Sequence, residues 1–338
     1  MNTTLTVLLI VTAVWIGLRY LPPGADRHRP LIELIALIDL LALPLLILLV
    51  WSVLAQDWAQ CLLALLEVTL VTLLGFSYSL RLPLHLDHLL VGMEAGPPAA
   101  RKGGTFTVMT LNCRYGRADP RAVVRAVERD SVDFLALQEV SDSLVASLKA
   151  AGLDRSLPYR QDGLPGPDDN GGYNVLYSRR RPACSSPDSI SMPGSTVPVM
   201  EVRMDGRTIL LASAHPKSPQ RGAADWGAGL SGLTGLTGLS SADGPTQTVV
   251  MGDLNADFHH PSFRALLARG GFRDASFSLR RGEHRTFPAG WGLPALIEID
   301  HILLTGGLSP TCMKTVRIPG SDHLGLVAGI GSNRPGGD

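Results

Sequence analysis

The chain opens on three long runs that are apolar on every side, about Thr3 to Leu18, Leu34 to Gln56 and Trp58 to Leu80. Each comes near the ~20 residues that a helix needs to cross a bilayer, so residues 1–80 are expected to form a membrane domain of three transmembrane helices. A cleaved signal peptide is the rival for the first run, but it lacks a basic leader and two further runs follow. Buried helices of a soluble domain would carry a single apolar stripe, which these runs do not.

Beyond residue 104 the pattern changes to short β-branched runs alternating with amphipathic stretches. Residues 106–111 read as a buried strand that delivers Asn112, followed by a helix with Asp119 as cap, Pro120 in its first turn and Val123, Val124 and Val127 on its inner face. Phe134 to Glu139, Asn174 to Arg179, Ile209 to His215, Val249 to Asn255 and Ile297 to Leu304 read as further strands. The succession is β-α-β, an α/β fold, with polar groups at strand ends where such folds build sites. Gly252 is expected to let the backbone turn and present Asp253 and Asn255 together. Residues 81–104, with Pro83, Pro97 and Pro98, read as a juxtamembrane linker, residues 105–332 as one domain, and residues 333–338 as a tail.

Composition sharpens this picture at two points. The chain of 338 residues carries 30 Lys+Arg against 30 Asp+Glu, and the part beyond residue 100 is only +3, a poor footprint for nucleic acid. Of the four cysteines, Cys61 lies in an apolar run, and Cys113, Cys184 and Cys312 have no metal-ligand spacing and read as buried thiols.

Two carboxylates interrupt the apolar runs. Counted from the loop at Asp57, Glu67 lies ten residues in and Asp39 eighteen, a difference in depth of roughly 12 Å at ~1.5 Å per residue, which argues against a paired site. Glu67 is expected to be protonated and bonded to Thr69, Thr72 or a neighbouring helix, with Asp39 near the headgroups. Arg19, Arg27, Arg29 and Arg81 flank the runs on one side, and the positive-inside rule assigns that side to the cytoplasm.

Taken singly, an Asn or Asp after a strand is a turn former and a lone His a hydrogen-bonded structural residue. The series is harder to explain that way. Glu139, Asp253 and Asn255 offer hard oxygen donors suited to Mg²⁺ or Mn²⁺. Asn112, Leu137-Gln138-Glu139, Ala214-His215, Gly252-Asp253-Leu254-Asn255, Ile299-Asp300-His301 and Ser321-Asp322-His323, in this order, resemble the signature of the endonuclease/exonuclease/phosphatase superfamily.

That resemblance implies a four-layer α/β sandwich, two mixed sheets face to face with helices outside, and metal-dependent hydrolysis of phosphate esters. It further implies that Glu139 ligates Mg²⁺ with Asn112 and Asp322 close by. Asp253 and Asn255 would position the attacking water and the phosphoryl oxygens, His323 would pair with Asp300, and His215 and Asn112 would contact the phosphate. Either Asp253 or His323 would be the general base. The chain departs from the pattern at Ser213, where many relatives have Asn, and at Gly172-Tyr173-Asn174, an approximate form of a glycine-rich turn.

Apolar runs ahead of this domain are similar to the arrangement in the VanJ-type teicoplanin-resistance proteins of actinomycetes, as is the stretch Asp253 to Phe263 followed by Gly271 to Asp274. That likeness implies an outward-facing phosphatase of a lipid carrier, undecaprenyl pyrophosphate, opposite to the side the arginine count assigns. The alternatives are a phosphodiesterase or nuclease of the same fold and a non-catalytic membrane-anchored binding module. Leu230, Leu233, Leu236 and Leu239 recur every three residues among glycines, either as a loose surface element packing its leucines inward or, with Trp226, as a greasy lip for acyl chains.

Overall fold

The structure, a computed structural model, describes residues 2–76, 105–165, 170–239, 246–290 and 292–332. The linker expected at 81–104, the end of the third apolar run and the tail lie outside the described residues.

The N-terminal part contains α1 (Thr3–Gly17), α2 (Leu31–Ala36), α3 (Ala42–Leu54) and α4 (Trp58–Phe76). Two helical stretches, Thr3–Tyr20 and Trp58–Gly75, are long and apolar enough to cross a membrane, rather than the three expected. The second run is broken: α2 ends at Ala36, Ile38–Leu41 form a 3-10 turn, and α3 holds 13 residues. Pro44 supplies a physical reason. It has no N–H to donate to Leu40, so the helix restarts with the proline in its first turn, where the missing donor costs nothing.

Leu5, Leu9 and Ile16 of α1, Leu45 and Leu48 of α3, and Ala64, Val71 and Leu74 of α4 pack together. Val7, Val11 and Val14, Leu46, Ile47 and Val50, and Leu62, Leu66 and Leu73 point outward from the same helices and are exposed. Glu67 accepts a hydrogen bond from Thr12 Oγ1 at 2.5 Å, so its partner is the neighbouring helix. Asn2 N donates to Asp57 Oδ2, placing the start of α1 beside the turn before α4. At the other end, Trp15 Nε1 donates to the carbonyl of Leu34.

Residues 105–332 build two mixed six-stranded sheets. The first contains β1 (Phe106–Asn112), β2 (Phe134–Val140), β3 (Tyr159–Asp162), β4 (Tyr173–Ser178), β11 (Leu308–Arg317) and β12 (Leu324–Ser332). Its order is β11-β12-β1-β2-β4-β3. The second contains β5 (Cys184–Ser186), β6 (Val199–Met204), β7 (Arg207–Ser213), β8 (Thr246–Asp253), β9 (Arg273–Asp274) and β10 (Asp300–Leu304). Its order is β5-β6-β7-β8-β10-β9. Within each sheet one pair is parallel, β1 with β2 and β7 with β8, and the other pairs are antiparallel.

The sheets meet through Phe106, Val108, Phe134, Ala136, Ile209, Leu211, Val249, Met251 and Ile302. Leu135 and Leu137, the alternate residues of β2, face the helices Pro120–Arg129 and Asp142–Ala150. Both faces are covered, which explains why the strands read as unbroken apolar runs rather than alternating ones. Helices Pro219–Gly232 and Pro261–Gly270 cover the second sheet. The result is an α/β sandwich of two mixed sheets flanked by helices, as expected.

The leucine repeat resolves inward. Leu233–Gly238 form a 3-10 helix, whose three residues per turn place Leu230, Leu233 and Leu236 on one side, fully buried beside Trp226. No greasy lip forms there. Cys113 is buried as expected, but Cys184 and Cys312 are exposed.

The segment between α1 and α3 lies against the sandwich. Asp26, fully buried, accepts from Ser262 N at 2.8 Å and Ser262 Oγ at 2.5 Å. His259 lies between Arg19 Nη1 at 3.1 Å and Asp39 Oδ1 at 2.9 Å, and the carbonyl of Ile32 accepts from His260 Nε2 at 3.0 Å. Asp39 is therefore bonded to the sandwich through His259.

Candidate active site

Each candidate side chain sits where a strand begins or ends at one edge of the sandwich. β1 ends on Asn112, β2 carries Glu139 in its last turn, His215 follows β7, and β8 ends on Asp253. Asp300 does not lie inside a strand that starts at Ile297, as the sequence pattern suggested, but opens β10. β10 returns antiparallel to β8 with Asp300 opposite Asp253, so the start of one strand lies at the end of the other. In the same way Ser321-Asp322-His323 precede β12, which runs antiparallel to β1, and Ser321 Oγ donates to the Asn112 carbonyl at 2.7 Å.

Asn112, Glu139, His215, Asp253, Asn255, Asp322 and His323 line one cleft of about 300 Å³. Asn112 Nδ2 donates to Glu139 Oε1 at 3.2 Å and to Asp253 Oδ2 at 3.0 Å. Its Oδ1 accepts from Arg114 N, which fixes the amide's orientation. Glu139 adopts a positive φ of 52° and accepts from Tyr115 N at 2.8 Å. Gly171, at φ 95°, passes so close that a Cβ there would meet the Glu139 carboxyl at 2.6 Å. Here glycine is needed for close approach as well as for its left-handed backbone.

Gly252 plays a different part from the one expected. It lies within the ladder of β8, and a Cβ would strike the carbonyl of Ala214 at 1.8 Å. The turn that presents the pair belongs to Asn255 itself, at φ 50°. Asn255 N donates to Asp253 Oδ1 at 2.9 Å, its Nδ2 donates to the Pro216 carbonyl, and Trp226 Nε1 donates to its carbonyl at 3.0 Å.

His323 Nδ1 lies 2.8 Å from Asp300 Oδ2, with Nε2 turned toward Asp253 Oδ2 at 3.7 Å. Burial alone would lower the imidazole's pKa, but Asp300 and Asp253 outweigh it and push it up to about 10. In its protonated form His323 presents Nε2 to the cleft as a donor. Burial would raise the Asp253 carboxyl, yet His323, His215 and Asn112 hold it well below the usual carboxylate range.

His215 Nε2 lies 3.5 Å from the same oxygen of Asp253. Its tautomer follows from Asn170, which the sequence reading missed. Asn170 Oδ1 accepts from Ser218 N at 3.0 Å, so its Nδ2 donates, to the Pro216 carbonyl and to His215 Nδ1 at 3.2 Å. The remaining proton of a neutral His215 then sits on Nε2, facing the cleft. Asn170 adjoins the glycine-rich turn that looked only approximate, and that adjacency was the one signal for it.

Asp322 stands on the cleft wall apart from these bonds, half-exposed and 3.4 Å from Arg114 Nε. Arg221, bonded to the Tyr115 hydroxyl and to Asn170, adds a second cation to the lining. Neither arginine falls in a recognisable motif, and nor do Ile32, Glu33 and Ala36, which reach the cleft from the N-terminal part.

Among the described residues, two clusters bring carboxylates and a histidine within metal-holding distance, Asp253-Asp300-His323 and Asp274-Glu298-His301. In the first, Asp300 Oδ2 is engaged by His323 while its Oδ1 is buried without a hydrogen-bond partner. With Glu139, Asp253 and the Asn112 amide together and Asp322 on the same wall, the set is oxygen-rich and thiol-free, which fits a hard divalent cation.

The second cluster points away from the cleft, because His301 follows Asp300 on a strand and faces the opposite side. His301 Nδ1 bonds Asp274 Oδ2 at 2.8 Å and Nε2 the Ala256 carbonyl at 2.7 Å, so both nitrogens act as donors. Burial would lower the imidazole, but Asp274 overrides it and the group is pushed up to about 9. Glu298 is pushed up to about 8, first by burial and then by Asp274. Both shifts make the folded chain hold protons that the unfolded chain releases. The stabilisation from His301 is whole below its ordinary value near 6.5 and is lost as pH rises through 9. That from Glu298 is whole below about 4.5 and lost as pH rises through 8. The unfolding temperature should therefore fall by roughly 5 °C between pH 6.5 and 9.5. Thermal scans across that range check this, and a rising midpoint would mean that His301 is neutral in the fold.

The profile of the Endonuclease/Exonuclease/phosphatase family matches residues 109–323. Among curated proteins no sequence match is found. In fold the chain is similar to D. rerio TDP2 complexed with single strand DNA product, with a TM-score of 0.53 at 16% identity, over 68% of this chain and 99% of that one. It is similar to the endonuclease/exonuclease/phosphatase from Bacteroides vulgatus, with 0.52 at 18%, over 68% and 99%. SmcL gives 0.51 at 14%, over 68% and 99%. At these identities the likeness concerns the fold alone.

Proposed function

Because the chain belongs to the endonuclease/exonuclease/phosphatase family, a family of metal-dependent phosphoester hydrolases, we propose that it is a membrane-anchored phosphohydrolase acting on a lipid phosphate, foremost a polyprenyl diphosphate such as undecaprenyl pyrophosphate, as in VanJ-type proteins. The observation that carries the hydrolase reading is the meeting of Asn112, Glu139, Asp253, His215 and the Asp300-His323 pair in one cleft. Buried carboxylate-imidazole pairs also serve structure in this chain, as at Asp274-His301, so it is the gathering of these groups around one open cleft that favours a hydrolase over a binding module.

A divalent cation, Mg²⁺ or Mn²⁺, held by Glu139 with Asn112 and Asp322 nearby, would draw negative charge off the phosphoryl oxygens. Asp253, ionised and fixed by Asn112 and Asn255 N, accepts a hydrogen bond from the attacking water and aligns it. His323 donates from Nε2 to charge developing on the phosphoryl group, its cationic form maintained by Asp300. His215 donates from Nε2 alongside it, and Arg114 and Arg221 offer further donors for a second phosphate.

The lipid assignment draws support from the N-terminal helices, whose outward faces are apolar. Only 28% of each spanning window is buried, unlike the core helix of a soluble domain. Phosphate anchored at such a surface meets the site at high effective concentration. The arginines between α1 and α3 weigh little on sidedness, because Arg19 and Arg27 are engaged by the sandwich, at His259 and Ser231. An outward-facing domain is thus compatible with their number.

The full chain, purified in detergent with Mg²⁺, is expected to release phosphate from a polyprenyl diphosphate at least tenfold faster than it cleaves single-stranded or duplex DNA. The reverse order of rates would replace this reading by a nuclease.

A further inference from the structure

The cleft has two chemically different walls. One is polar, built from the catalytic candidates. The other is largely apolar, made by Phe287, Ile297 and Ile299 of the sandwich together with Ile32 and Ala36 of α2, which also brings Glu33, paired with Arg29, to the lining. The second wall is thus contributed partly from outside the family's fold.

We propose that α2 is a specificity wall, and that the slot between Ile32, Ala36, Ile297 and Ile299 receives the first carbons of an aliphatic chain esterified to the phosphate. This rests on the phosphohydrolase reading above and extends it to the part of the substrate that does not react.

The placement of α2 is fixed by buried polar contacts that the chemistry does not use. His260 donates to the Ile32 carbonyl, Trp15 to the Leu34 carbonyl, and Asp39 bonds His259, while Asp26 accepts two bonds from Ser262. Moving α2 off the cleft would strand several of these groups away from water, so it is held there rather than resting there. Ile32 itself is buried in the same apolar cluster as Phe263 and Leu254. The run Asp257 to Ser262 thereby acquires a role, since it is the seat of α2.

Continuity gives the slot a direction. Six residues of helical rise, about 10 Å, separate Ala36 from the start of α3. Leu43, Leu46 and Ile47 of α3 then present exposed apolar surface. A chain leaving the slot along α2 meets hydrocarbon-compatible side chains, whereas a sugar or base would lose its water against them.

Each methylene taken into such a slot raises kcat/KM about fourfold, until the slot is full. For the full chain in detergent, kcat/KM for farnesyl diphosphate should exceed that for isopentenyl diphosphate by at least tenfold. Ala36→Trp, which fills the slot, should bring that ratio to within about threefold of unity. Ala36→Leu, a smaller addition that α2 accommodates more readily, should lower it part of the way, with unfolding temperatures recorded for both. A tenfold wild-type ratio that survives both substitutions removes the slot and leaves the lipid phosphatase standing. A wild-type ratio of one removes both.

Discussion

Glu139→Ala and Asp253→Ala should each lower phosphate release by roughly three powers of ten or more, because each removes a charged group placed where the reacting phosphate must sit. The two differ in what they do to the fold. Glu139 is half-buried, and its partners, Asn112 Nδ2 and Tyr115 N, can turn to water, so its unfolding temperature should stay within a few degrees of the parent. Asp253 is buried between two imidazoles and an amide, and its loss takes the acceptor from Asn255 N, one acceptor from Asn112 Nδ2 and the negative charge facing both imidazoles. That variant should also unfold earlier. Turnover and thermal scans on the same preparations separate the effects, and near-normal hydrolysis by either variant would defeat the assignment.

Asp300→Asn should reduce kcat by about two to four powers of ten while KM changes little, since Asp300 touches His323 and not the substrate. The amide can still bond Nδ1, but without the negative charge His323 is no longer held cationic, and its orientation changes with the tautomer it adopts. Steady-state kinetics give the split. A proportionate rise in KM with kcat unchanged would show that the pair binds substrate instead of stabilising the transition state.

How much of this was legible in the sequence differs from residue to residue for physical reasons. Asn112, Glu139 and Asp253 close strands whose apolar runs are unmistakable, so their common edge could be anticipated. Asp300 and His323 were readable as residues but not as positions, because an antiparallel return places a strand's first residue where a parallel one places its last. Asn170 was invisible, since an amide beside two glycines is an ordinary turn until its Nδ2 is seen to donate to His215 Nδ1. The break before α3 was readable in principle from Pro44, yet uniform hydrophobicity masked it. Asp39 looked like an anomaly of a spanning segment, and only the fold shows His259 waiting for it. The leucine triplets had two explanations of equal spacing, which burial alone distinguishes.

The contacts between the segment preceding α3 and the stretch Asp257 to Ser262 tie the N-terminal helices to the sandwich. A fragment cut free at residue 105 would bare His259, His260 and Ser262 and lose the Ile32 and Ala36 side of the cleft. Such a fragment could keep its reaction centre and still misreport what the intact protein prefers, so screening for inhibitors calls for the whole polypeptide in micelles or nanodiscs.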